Sequence, residues 1–357
     1  MNYVVQRLLT FPLILLGVSI LVFVSIRLIP GDAITAMLGT EAGLLTPAQR
    51  ETLAAYFGID QPIWSQYLRW LGGLFSGDLG ISSIYGKPVL TVVLERFPLT
   101  LQLSLMSMAI SLSVGIPLGV LAASRNERPS DLLVRVLAML GQSTPSFVIG
   151  ILTIYVLSVF FGFVPAMGTF TPFFADPLAS FGQLIFPAIT LGFAFAASVT
   201  RITRSAMLDV LSDDYVRTAR SKGASPGSVI WRHALPNALI PVVTLSGVEF
   251  GYLLGGAVIV EQIFALPGLG RLVLDAITQR DYALVQGTIL FIAFNFLVVN
   301  LLVDLAYVAL DPRIRIGGDN GQNGFRISPS SLRPHRCRDH RALSPRGHSG
   351  VARLDAT

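Results

Sequence analysis

The sequence predicts an all-α polytopic membrane protein with six transmembrane helices. Of its 357 residues, 52% are hydrophobic and only 13% are charged, where a soluble domain carries roughly 25% charged residues. The mean hydropathy is +0.66. The apolar residues also come in long blocks, which sets aside the fibrous and disordered classes, where they are thin throughout. A chain with so few charges uses lipid as its solvent.

A hydrocarbon core of about 30 Å takes ~20 apolar residues per helix. The first run of that kind is 8–26, behind Arg7. It is too long for a secretory h-region and no small-x-small cleavage site follows it before Pro30, so residues 1–29 read as a retained anchor helix. The second run is 100–123, interrupted only by Pro117. The third, 132–163, is too long for one simple span, and Gly141-Gln142-Ser143-Thr144-Pro145 should break it, leaving 146–163 as its membrane part. Runs 184–200, 238–260 and 283–309 complete the six.

Six spans put both termini on one side. Segment 124–135 offers Arg125, Arg128 and Arg135, and segment 201–235 offers Arg201, Arg204, Arg217, Arg220, Lys222 and Arg232. Segment 164–183 has no Lys or Arg, and 261–282 has only Arg271 and Arg280. The positive-inside rule therefore places both termini and the two basic loops in the cytoplasm. Residues 30–96 fall outside, as a helical segment in which Trp64, Tyr67, Leu68 and Leu71 share a helical spacing after the turn-prone Gly58-Ile59-Asp60-Gln61-Pro62. The expectation is a small helical unit on the outer membrane face.

The formal charge of +5 is mostly a property of residues 319–357, where seven Arg stand against three Asp. That tail reads as disordered, and its charge does not imply nucleic-acid binding. Its His335, Cys337, His340 and His348 fit no standard zinc spacing. His233 is the only histidine before residue 319, and no HExxH, CxxC, GxSxG or GxxxxGK[ST] occurs. No cofactor, metal or ATP hydrolysis is expected of this chain, and no catalytic residue can be assigned.

The most informative stretch is the basic loop around 213–241. Tyr215 to Lys222 are mostly good helix formers, and Gly223 stands where a left-handed C′ residue would end the helix. Ser225-Pro226 then reads as an N-cap followed by Pro at the first helical position. The second helix should run to about Leu235, with Pro236 beginning the approach to span five. Such caps argue for an ordered helix–turn–helix rather than a solvated loop that only sets topology.

This loop resembles the EAA motif of ABC-importer permeases, E-A-A-x3-G-x9-I-x-L-P, over 208–236. Ala219, Gly223, Leu235 and Pro236 fall in register, while Arg217, Thr218 and His233 stand where the general pattern has Glu, Ala and Ile. The form Tyr-x-Arg-Thr-Ala-Arg-x-Lys-Gly is similar to the peptide-importer branch. Pro30-Gly31-Asp32, Gly77-Asp78-Leu79-Gly80, Arg96-Phe97-Pro98-Leu99-Thr100-Leu101, Phe264-Ala265-Leu266-Pro267-Gly268-Leu269-Gly270 and Asp311-Pro312-Arg313-Ile314-Arg315 resemble, in order, the B-type permeases of dipeptide, oligopeptide, glutathione and nickel importers. The resemblance implies a type I importer transmembrane domain in the bacterial inner membrane, with a permease core over 97–310. It implies as partners a second homologous permease, two cytosolic ATPases and an extracytoplasmic substrate-binding protein. It also implies an ATPase-docking surface that includes Arg217, Thr218, Ala219, Arg220, Lys222 and Gly223. A secondary transporter or channel working without an ATPase is the alternative.

Glu249 lies near the middle of span five, where an ionisable side chain must face protein or water. Gly247, Gly251 and Gly255 form a small-xxx-small stripe on which another helix can pack. At ~100° per residue Glu249 points away from that stripe. It reads as a carboxylate lining a pathway, or else as one hydrogen-bonded to Asn295 or Gln102. Asn295 itself reads as an interhelical hydrogen-bond partner or a second pathway group.

Overall fold

In a computed structural model of the chain, residues 3–28, 34, 39–57, 60–165 and 170–310 are described, and nearly all of them are helical. Pro30-Gly31-Asp32, Asp311 to Arg315 and the tail 319–357 lie outside the described residues. The helices are α1 (Tyr3–Arg27), α2 (Pro47–Phe57), α3 (Ile63–Phe75), α4 (Val89–Ser124), α5 (Pro129–Ser143), α6 (Ser146–Phe161), α7 (Pro177–Ser212) and α8 (Asp214–Ser221). There follow α9, in which Pro226–Ser228, Val229–Ala234 and Leu235–Gly256 run on without a break, then α10 (Val258–Ile263), α11 (Leu269–Thr278) and α12 (Tyr282–Leu310). Only helices satisfy every backbone polar group within their own segment, which is what lipid demands.

Five of these helices, α1, α4, α7, α9 and α12, are long and apolar enough to cross a membrane. The sixth crossing is α5 with α6, which meet at a 98° bend. Pro145 precedes α6, and Thr144 before it is extended (φ −86°, ψ 119°), as a residue ahead of proline must be. The break expected at 141–145 is thus present. The other boundaries shift. α4 starts at Val89 rather than at Thr100 and runs through Pro98. The cause is burial: Val89, Val92 and Val93, one helical face, pack with Val22, Ile26, Leu284 and Val285, and that burial outweighs the hydrogen bond a proline removes. α7 likewise begins at Pro177, with the Asp176 carboxylate accepting from the Ala179 amide at 3.0 Å.

α4 and α7, each 36 residues and so about 54 Å long, form the axis of the molecule. A Cβ on Gly115 would sit 2.7 Å from Val199, and one on Gly192 would sit 2.9 Å from the Ser107 carbonyl. Gly119 faces Thr203 in the same way, and Ser111 Oγ donates to the Gly192 carbonyl at 2.8 Å. Contacts advance along both helices in the same direction, so α4 and α7 are parallel. The bent pair α5–α6 must therefore carry the chain back across between them. α9 packs antiparallel on α12, with Gly247 against Val303, Gly251 against the Phe296 ring, which a Cβ would approach to 2.7 Å, and Gly255 facing Ile292.

Two buried carboxylates pin the end of the bundle remote from α8. Glu261, fully buried, accepts from Thr100 Oγ1 at 2.7 Å and from the Arg271 amide at 3.0 Å, while Thr100 Oγ1 accepts from the Leu269 amide at 2.9 Å. Gly268 lies directly over this carboxylate, where any side chain would collide. Asp281 accepts from Ser82 Oγ at 2.6 Å and the Ile84 amide at 3.1 Å, and caps α12 through the Leu284 amide at 3.0 Å.

Of the segment between α1 and α4, the helix α3 lies on the bundle. α3 runs antiparallel along α1: Arg27 donates to Gln66, Ser19 and Tyr67 share a 2.8 Å hydrogen bond, and the Phe23 ring packs edge-on to Tyr67 and tilted on Trp70, with centroids 5.2 and 5.5 Å away. Deeper along the pair, Leu71, Leu74 and Phe75 join Pro12, Leu15 and Leu16 around an apolar cleft of about 420 Å³.

Gly115→Val tests the axis. The new side chain overpacks the α4–α7 contact and should cost about 1–3 kcal/mol, read as a lowered unfolding temperature in detergent. Gly17→Val, at a position with open space around it, should leave that temperature unchanged.

Candidate functional site

α7 ends at Ser212, its last turns packed through Met207, Val210 and Leu211. Eight residues of helix, α8, then turn back before the chain re-enters the bundle as α9. α8 ends as its residues require. The Gly223 φ is +83°, its amide donates to the Arg220 carbonyl at 3.0 Å, and the Ala224 amide donates to the Ala219 carbonyl at 3.2 Å. Ser225 Oγ accepts from the Ser228 amide at 3.3 Å, and Pro226 opens α9.

α9 corrects one expectation. The second helix does not end near Leu235, because it passes through Pro236 into span five by widening into a π turn over Val229–Ala234. An α-helical turn would press the Arg232 carbonyl onto the Pro236 ring. Here the Leu235 amide instead reaches back five residues to the Ile230 carbonyl, and the helix continues.

The loop is held to the bundle by one apolar and one polar anchor. Val216 is fully buried, and Tyr215 hydroxyl accepts from Asn237 Nδ2 at 2.7 Å while donating to the His233 carbonyl at 3.4 Å. Beneath lie Val120, Ala123, Met207, Ala234 and Ala238, packed as one cluster. What remains outside is cationic. Arg217, Thr218, Arg220, Lys222, Gly223 and Pro236 are exposed, while Ala219 and Leu235 are half-buried. Arg217 makes only a 3.5 Å contact with the exposed Asp214, a pair of little energetic weight. Trp231 stands beside this patch, 57% exposed.

Beside α8 sits an ion pair that sequence reasoning did not single out. Arg204 on α7 holds Asp131 on α5 in a bidentate grip, Nε to Oδ1 at 2.6 Å and Nη2 to Oδ2 at 2.8 Å. Nη2 also donates to Asn126 Oδ1 at 3.0 Å, and the Glu127 amide donates to Asp131 Oδ2 at 3.1 Å. The Asp131 side chain has no exposed surface. The α4–α5 turn and the helix that leads into α8 are therefore tied as one piece. A lone Asp in a basic loop, three residues into a proline-started helix, was the available signal. Its partner is 73 residues away in the chain.

The candidate pathway residues do not come together. Asn295 Nδ2 donates to the Phe291 carbonyl of its own helix at 2.8 Å, and Asn295 makes no hydrogen bond to another helix among the described residues. Gln102 Oε1 accepts from Ser180 Oγ at 3.0 Å. Neither meets Glu249, which is half-buried and has no hydrogen-bond or ion-pair partner among the described residues. Glu249 lies across α9 from the glycine stripe and beside a face on which Pro241, Thr244, Val248 and Tyr252 are exposed. On a helix otherwise enclosed by α7, α4 and α12, that face has no cover from those helices among the described residues.

Comparison with known proteins accords with this architecture. The family described as binding-protein-dependent transport system inner membrane component matches residues 115–316, and the N-terminal family of such membrane components matches 1–104. A Brucella abortus (strain 2308) protein named as a peptide transport system permease is 45% identical over 302 residues, 85% of this chain and 95% of that protein. The glutathione transport system permease of Escherichia coli (strain K12) is 41% identical over 315 residues, 88% of this chain and 99% of that one. Among solved structures, a chain of the MetNI methionine ABC transporter in inward-facing conformations superposes with a TM-score of 0.52 at 17% identity, over 62% of this chain and 96% of that one.

Arg204→Met would leave the Asp131 carboxylate enclosed without its main partner, a loss of about 1–3 kcal/mol. The pair Arg204→Met with Asp131→Leu should recover much of it. Unfolding temperatures of the two single variants and the double variant give the coupling directly, and additive losses would show that the pair contributes nothing as a pair.

Proposed function

This chain belongs to the family of binding-protein-dependent transport system inner membrane components, and from that premise we propose that it moves peptides through a pathway it half encloses, driven through α8. It is the permease subunit of an ATP-driven importer, a multi-pass protein of the inner membrane. Permeases of this family work with ATPase and binding-protein subunits. The substrate proposed is a di- or oligopeptide, or a related small solute such as glutathione. The names of relatives more than 40% identical support this choice.

The observation that carries the reading is the cationic helix α8, closed at its C-terminal end by Gly223 and held by Tyr215, Val216 and Asn237 against helices that run the length of the bundle. A helix fixed in this way passes a push to α7 and α9 together. In the proposed assembly two cytosolic ATPases grip the α8 helices of this subunit and of a second, homologous permease. Arg217, Thr218, Ala219, Arg220, Lys222 and Gly223 form the docking surface, and Leu235 and Pro236 its root in α9. Both termini and α8 are cytoplasmic, in keeping with the positive-inside distribution. The second permease covers the open face of α9, and Glu249 faces the pathway between them, where an ionisable group in a membrane helix belongs.

Two experiments test this. Gly223→Val forces a β-branched residue into a left-handed conformation, at about 1 kcal/mol or more. It should insert and assemble normally yet lose ATP-driven uptake of labelled peptide in proteoliposomes, and wild-type uptake would refute the role of α8. Glu249→Gln keeps the shape and removes the charge. It should lower uptake of peptides with a free amino terminus more than uptake of N-acylated ones, and equal effects would remove Glu249 from the pathway.

A further inference from the structure

At the end of the bundle opposite α8, Tyr85, Arg96, Pro267, Gly268, Arg271 and Asp275 line a cleft of about 270 Å³. We propose that this cleft is the seat for a carboxylate side chain, Asp or Glu, presented by the extracytoplasmic binding protein. The proposal rests on the orientation and partners given above.

The charges of the cleft carry the argument. Three ionisable side chains besides the Tyr85 phenol line it: Arg96, Arg271 and Asp275. Arg96 is half-buried and has no hydrogen-bond or ion-pair partner among the described residues. Asp275 approaches Arg271 only to 3.7 Å, one helical turn away, with both side chains partly exposed. The nearby buried acids do not neutralise the arginines. Glu261 is engaged by Thr100 and the first amides of α11, and Asp281 by Ser82 and the amides of Ile84 and Leu284. The cleft therefore keeps a net positive charge, and its guanidinium groups offer the forked geometry that a carboxylate accepts.

Rigidity and size select the occupant. Both walls are fixed from behind, the Gly268 wall by Glu261 and the Tyr85 wall by Ser82, whose hydroxyl oxygen accepts from the Tyr85 amide at 3.2 Å while donating to Asp281. A site fixed before binding loses little freedom on association. Pockets for whole solutes run from about 300 to 1,000 Å³, so this one suits a single side chain better than a peptide. Arg and Tyr around a small socket are also the residues that dominate protein–protein contacts.

The test begins with orientation. Arg271→Cys, in a chain whose Cys337 is replaced by Ser, should react in intact spheroplasts with a membrane-impermeant thiol reagent. Labelling only from the cytoplasmic side would overturn the orientation, and the proposal with it. Binding is then measured between the complex in nanodiscs and the binding protein that co-purifies with it. Arg96→Ala and Arg271→Ala should each weaken binding about ten- to hundredfold at low salt and flatten its salt dependence. Lys87→Ala, whose lysine pairs with Glu95 nearby, should leave it unchanged. Arg96→Lys and Arg271→Lys, which keep the charge but not the fork, should give intermediate losses, and they serve where an alanine variant fails to assemble. Unchanged affinity in an outward-labelled, assembled variant would overturn the proposal while leaving the importer reading intact. Unchanged binding with a raised KM for peptide would assign the cleft to the substrate's own carboxylate and overturn it too.

Discussion

The rest of the structure depends on how closely α4 and α7 approach each other. In lipid two apolar helices gain nothing by burying side chains, because hydrocarbon is already as apolar as leucine. What holds them is backbone-level contact, which is possible only where side chains are small. Ser107, Ser111, Gly115 and Gly119 supply that on one helix, and Gly192, Ala196, Val199 and Thr203 meet them on the other. Every serine along the α4 seam returns its hydroxyl to a carbonyl one turn back, as Ser104, Ser107 and Ser111 do. The seam therefore carries polar atoms into the membrane without leaving those hydroxyls unpaired.

From that axis the molecule is organised at its two ends by buried acids. At one end Asp131 ties the α4–α5 turn to the last turns of α7, just before the chain leaves for α8. At the other, Glu261 and Asp281 hold the loops around Gly268 and Tyr85 on the ends of α4 and α12. Each carboxylate is answered by hydroxyls, amides or a guanidinium, so none is buried without hydrogen-bond partners. For an importer permease the consequence is mechanical. The surface at each end is tied to the long helices by these contacts.

The apolar blocks were legible because lipid allows one backbone solution, and the loop 213–226 because its turn chemistry is local: Gly223 alone tolerates a φ of +83°, and Ser225-Pro226 caps a helix whatever surrounds it. The serine and glycine seam of α4 was equally readable, since its members recur every four residues, but without knowing its partner nothing marked it above the stripe on α9. Trp231 gave no signal either, for an aromatic residue in a helix reads as core until its surroundings are seen. Asn295 misled because an amide in a membrane helix suggests a neighbour, whereas the carbonyl one turn back is always within reach.

Composition and local pattern by themselves determined that this is a membrane protein of about six crossings with a capped basic helix between the fourth and fifth. Those properties follow from the length of hydrocarbon to be crossed and from dihedral angles that single residues permit. Only the tertiary structure decided that Pro98 and Pro236 lie inside helices, that α3 runs along α1, and that Asp131 finds Arg204 and Glu261 finds Thr100. In each case the outcome is set by a contact between residues far apart in the chain, or by a burial energy that outweighs a local preference, and neither is written in the segment where its effect is seen.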